Sequence, residues 1–191
     1  SNHDRATCKR NSKDTIKVPE ERSVFEMVIR GYEWGILRDL IGKKAEALVV
    51  PTAPNSVSGP VEAILVLSDH KGVLFDSCSR NQKPTETMVN YPQMRVRIID
   101  EVPEYRMGQR IALNEQGEII QRVEIVNEEF VSPNDFVDYT KAIHIEFSGD
   151  RDVTITRETF RNPSLQIYEK RNWKDDVQVS GPYGILQFMS L

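Results

Sequence analysis

At 191 residues, with 39 % apolar and 28 % charged side chains, the chain has the size and make-up of one globular domain that buries a core without disulfides or metals. No apolar run approaches the roughly 20 residues of a bilayer-spanning helix, which argues against a helical membrane span. The net charge of −4 argues against nucleic acid as a partner of the whole domain, because such partners select a strongly basic face.

Residues 1–18 lack apolar periodicity and read as a flexible N-terminal arm, leaving 19–191 as a single β-rich domain. The arm is basic, with Arg5, Lys9, Arg10, Lys13 and Lys17 set against Asp4 and Asp14. Such a terminus is normally solvated, although its charge suits an anionic partner. The two cysteines, Cys8 and Cys78, form no CxxC pair. The one sequon-like triplet, Asn162-Pro163-Ser164, is disqualified by its proline. Both features lean toward a reducing, cytoplasmic setting.

In chain order, the first expected element is an amphipathic helix over 23–41. Ser23-Val24-Phe25-Glu26 has the form of a capping box. Val24, Val28, Tyr32, Ile36 and Leu40 recur every four residues, and Met27, Leu37 and Ile41 widen the stripe. Tyr32 and Trp34 then read as core contacts. Gly42 is a suitable stop, while Gly31 and Gly35 each weaken the helix by roughly 1 kcal/mol relative to alanine.

Short strands follow. The apolar run Ala45–Val50 ends at Pro51, and 51–60 is a loop. Val61–Leu67 is apolar almost throughout, as for a strand covered on both faces. Asp69-His70-Lys71-Gly72 is a turn leading to Val73-Leu74-Phe75. Residues 79–92 are polar and read as loop. Met94–Ile99 alternates, placing Arg95 and Arg97 on one face. A hairpin around Asn114-Glu115-Gln116-Gly117 joins Arg110–Leu113 to Glu118–Val126. Ser132-Pro133 predicts a short helix to about Tyr139. Ala142–Phe147, Val153–Thr159, Leu165–Tyr168, Val177–Val179 and Ile185–Met189 complete the strands. The expected fold is therefore α+β, predominantly antiparallel β (a barrel or sandwich), with one N-terminal amphipathic helix packed on the sheet or closing one end.

The sequence carries no GxSxG, P-loop or GxGxxG signature, and no cofactor is implied. Cys78 with His70 is a poor nucleophile–base pair, because the hairpin separates them by roughly 20 Å of extended chain. His144 and Glu146 share a strand face, but a catalytic zinc needs a third protein ligand. Asp150 and Asp152 lack the remaining ligands of a calcium loop. Glu124, Glu128, Glu129, Asp135 and Asp138 form an acidic zone that reads as surface charge.

The better candidates are binding residues: Arg95, Arg97, Arg106 and Arg171, with Trp173 set among charges. Trp and Arg are enriched at interface hot spots, while a tryptophan in this setting also serves as a plug over a sheet edge. The reading is a non-catalytic binding module that recognises a protein partner. The rival is a β-barrel carrier in which Arg95, Arg97, Thr154 and Thr156 fix a small anionic ligand. Last comes a hydrolase-type enzyme using His144 with carboxylates.

Overall fold

The computed structural model describes residues 23–52, 59–82, 89–105, 108–169 and 172–191. The expected arm at 1–18 lies outside these residues. The described elements begin with strand Ser23–Met27 (β1) and helix Gly31–Asp39 (α1). Strands Lys44–Pro51 (β2), Glu62–Leu67 (β3), Gly72–Gln82 (β4), Val89–Ile99 (β5) and Gly108–Ala112 (β6) follow. The longest pair is Glu118–Val131 (β7) and Asp135–Phe147 (β8), after which come Arg151–Thr156 (β9), Gln166–Tyr168 (β10) and Ile185–Ser190 (β11). A 3-10 turn at Trp173–Asp175 precedes β11.

The strands form one sheet of eleven, in the order β10-β9-β8-β7-β2-β3-β4-β5, with β1 beside β8, β11 beside β7 and β6 beside β2. Among the described residues every pairing is antiparallel except β1 with β8. The sheet is not closed into a barrel. Its two halves share one apolar interior: Leu48, Leu65, Phe75 and Val96 from β2–β5 join Val123, Ile125, Ile143 and Ile155 from β7–β9. Ile29, Leu37 and Leu40 from the helical region add to it. Among the described residues, no helix is long and apolar enough to cross a membrane.

Local chemistry explains the hairpins. The Lys71 amide donates to Asp69 Oδ1 (3.1 Å), and His70 takes a positive φ of 73°. Between β6 and β7 the Gln116 amide donates to Asn114 Oδ1 (3.0 Å). Gly117 has φ 86°, and a Cβ there would sit 2.6 Å from Ser68 Oγ. A side chain at this position is excluded twice, by conformation and by space.

The expected helix at 23–41 is shorter and starts later. Residues 23–27 form β1 because their burial has period two: Phe25 and Met27 are buried, and Val24 and Glu26 are exposed. The buried pair packs with Val137, Tyr139 and Phe160. The helix begins at Gly31, where Glu33 Oε1 accepts the Arg30 amide (2.6 Å) in place of the predicted Ser23 cap. Tyr32 is exposed, while Trp34 packs against the core.

Three further expectations change. The helix predicted from Pro133 is instead a turn: Ser132 Oγ accepts the Asp135 amide (3.1 Å) and β8 starts at Asp135. The loop predicted at 79–92 is narrower, since β4 runs to Gln82 and β5 starts at Val89. Residues 177–179 are not a strand, and Val177 packs beside Trp173.

One contact locks α1 to the sheet. Glu33, fully buried, accepts the Val96 amide (2.7 Å) with Oε2 and the Arg95 guanidinium (2.8 Å) with Oε1. β5 is an edge strand, and this carboxylate satisfies one of its free amides. That is one way in which native sheets close an edge to foreign strands.

Candidate functional site

The predicted binding residues do not gather into one patch. Arg95 is buried and committed to Glu33, to the Val28 carbonyl (3.4 Å) and to Gln93. Arg97 is exposed on the same strand. Arg106 and Arg171 lie outside the described residues. Thr154 bonds His144, and Thr156 donates to the Lys141 carbonyl (3.2 Å). The open sheet and these separate commitments correct the barrel interior imagined for Arg95, Arg97, Thr154 and Thr156.

Trp173 is 4 % exposed, so the exposed anchor is corrected to a plug. It lies against Val126 and Ala142, with Val177 and Leu186 beside it. The polar residues around it in sequence hid this, because its apolar seat is supplied by β7 and β8. Its ring stacks on His144 at 4.1 Å and 11°, with the Lys174 ammonium 5.6 Å from its centroid.

His144 borders a cavity of about 280 Å3 shared with Glu146, Asp150, Asp152 and Trp173. Its Nδ1 shares a 2.7 Å hydrogen bond with Thr154 Oγ1. Nε2 is buried without a hydrogen-bond partner, 3.5 Å from Asp152 Oδ2. Burial, followed by the charges of Lys174 and Arg122, pushes the imidazole pKa down to about 4. Among the described residues, no group of three or more His, Cys, Asp or Glu is placed to hold a metal ion.

A neutral, buried His144 sets a pH dependence. The unfolded chain takes up this proton near 6.5 and the folded protein near 4. Its contribution is therefore full above about 6.5 and drains away as pH falls to about 4, reaching about 3 kcal/mol. Urea unfolding between pH 7 and 4.5 should show this slope, and His144→Phe should flatten it. Equal slopes in the two proteins would count against the assignment.

A second cluster was missed in the sequence. β8 carries a bulge at Lys141: Val126 faces Ala142 and Asn127 faces Thr140, leaving Lys141 without an opposite residue. Around it, Glu128 Oε1 accepts Tyr139 Oη (2.5 Å) and Ser180 Oγ (2.6 Å), while Oε2 accepts the Ser180 amide (2.6 Å). Lys141 Nζ donates to the Glu158 carbonyl (2.6 Å) and stands 3.5 Å from Glu128 Oε1. Burial lowers the Lys141 pKa, against the pull of Glu128, and burial raises that of Tyr139. The serine proton is held by a carboxylate and the lysine by a carbonyl, so the arrangement clamps the 180 segment to the sheet. This cluster borders a cleft of about 580 Å3. The sequence sign was a lysine directly before the apolar residues Ala142 and Ile143 of β8.

A third feature runs across the sheet. Glu26 faces Asp138, Asp138 faces Glu129, and Glu129 faces Ile185. Directly opposed residues share a face, so three carboxylates stand in a row ending at β11. Burial, then Glu129 and Glu26, raise the Asp138 pKa. β11 itself, ILQFMS, has no charge and pairs only with β7 among the described residues. Ile185 and Phe188 are exposed, as are Val179 and Tyr183 just before the strand.

These observations define the class as a mostly antiparallel β-sheet protein with one short helix among the described residues. No family model matches the chain, and neither the curated proteins nor the solved structures yield a match.

Proposed function

We propose that the chain is a non-catalytic binding module that recognises a protein partner, and that the partner adds an extended segment to β11. The observation that carries this is the uncharged β11 edge with its exposed apolar side chains. Native sheets guard their edges with charge, proline, short strands or covering groups. β5 has Glu33 across it, β10 has three residues and β6 has five. β11 has six, with no charge or proline among them, although Trp173 and Lys174 pack against its Phe188. Strand addition supplies main-chain hydrogen bonds for affinity and alternate side chains for specificity.

The acidic row Glu26–Asp138–Glu129 selects the partner's chemistry. A segment alternating apolar and basic residues relieves the like-charge repulsion beside Ile185. The test is fluorescence anisotropy with labelled ten-residue peptides of alternating Val and Lys, or Val and Glu. The lysine peptide should bind saturably and weaken with salt, and the glutamate peptide should not bind. Ile185→Lys should weaken binding by about tenfold or more with thermal stability unchanged. Equal binding of both peptides, or unaltered binding by the variant, would sink the reading.

A further inference from the structure

We infer that the cleft beside Lys141 binds the oxyanion of a small ligand, a carboxylate or phosphate group. This rests on observations separate from the β11 edge.

The first observation is Arg157, whose side chain is 0 % exposed and borders the cleft. Its nitrogens donate to the carbonyls of Pro92 (2.7 Å) and Thr140 (3.2 Å) and to Ser77 Oγ (3.5 Å), and Nε has no partner. Its guanidinium carbon is 5.1 Å from the centre of the Tyr139 ring. No carboxylate among the described residues lies within 4.0 Å of it. A buried cation without a counter-charge is costly. Burial pushes its pKa down to about 10, which still leaves it charged at neutral pH.

The second observation is the composition of the cluster. Lys141 and Arg157 are two buried cations, and Glu128 is the one buried carboxylate ion-paired within the cluster, on Lys141. Among these buried groups one positive charge is in excess beneath an open space of about 580 Å3. The Thr159 hydroxyl lines the same space and is of a type that donates to an oxyanion, while the Ser180 and Tyr168 hydroxyls there already donate to Glu128 Oε1 (2.6 Å) and Gln166 Oε1 (3.0 Å). Protein atoms of low mobility screen less than water, so the field of a buried charge beside the cleft is attenuated less than that of a solvated one.

The rim limits what fits. Glu158 and Asp176 are exposed and face the same cleft, with Arg161 opposing them. Their negative charge disfavours a polyanion. The site therefore suits one carboxylate or phosphate on an otherwise polar ligand, since the lining offers little apolar surface for a greasy body.

The experiment is a 1H–15N titration of the protein with inorganic phosphate and, separately, with acetate, at constant ionic strength against chloride. Saturable shifts at the amides of Lys141, Arg157 and Ser180 are expected with at least one of the two anions, and none with chloride. The anion that binds tighter identifies the group. Arg157→Gln should abolish the response. Because that variant disturbs a buried residue, Gln178→Glu gives the second reading. Gln178 is exposed and lines the cleft, so a carboxylate there adds negative charge to the space where the anion would bind. Gln178→Glu should weaken the anion by about tenfold or more. Shifts that do not saturate, that spread evenly over surface lysines, or that persist in Gln178→Glu would overturn the inference.

Discussion

Glu33→Ala should destabilise the protein by about 3–5 kcal/mol, the usual cost of removing one partner from a buried ion pair. At this chain length that corresponds to a fall of roughly 10 °C in melting temperature. The carboxylate is fully buried and accepts from three donors: the Arg30 amide, the Val96 amide and the Arg95 guanidinium. Alanine uncaps α1, frees an amide on β5 and strands a buried cation. Glu33→Gln keeps the acceptor oxygen and should cost less. Truncating Arg95 as well should recover part of the loss, because the stranded charge goes with it. Urea unfolding of the two single variants and the double variant measures this. A Glu33→Ala protein within 1 kcal/mol of wild type would show that the three contacts are dispensable.

Trp173→Ala is the second large effect, at about 3–5 kcal/mol. The ring fills the space over Val126 and Ala142 and covers one face of His144. Removing it opens a void and admits water to the imidazole. The His144 pKa should then climb from about 4 toward 6.5, which the ring proton shifts report directly. A tryptophan serving as an exposed hot spot behaves oppositely, losing binding while stability and the histidine titration stay put. Unchanged stability together with an unchanged His144 titration would refute the plug.

The sequence was most legible where local chemistry decides the backbone. The turns at 69–72 and 114–117 follow from Asp69, Asn114 and Gly117, whose hydrogen bonds and positive φ are set within a few residues. The apolar run at 63–67 reads as β3 because its burial on both sides leaves no other pattern. Residues 23–27 misled because Val24 and Val28 fit a four-residue period while Phe25 and Met27 fit a two-residue one. The choice was made by β8, which supplies the partner residues 135–139. The candidate sites were least legible for the same reason. Ser180 reaches Glu128 across 52 positions, and Arg157 reaches Pro92 across 65. The bulge at Lys141, beside the carboxylate that Tyr139 and Lys141 share, is a property of two strands together. Trp173 was ambiguous because its seat is made by residues 126 and 142.

The parallel pairing of Ser23–Met27 against Asp135–Tyr139 has a bearing on how the chain assembles. A ribosome delivers the first of these segments long before the second exists. Phe25 and Met27 must therefore wait, uncovered, while more than a hundred residues emerge. Contacts so distant along the chain slow the search for the native arrangement. An apolar stretch left waiting that long is what chaperones bind during synthesis.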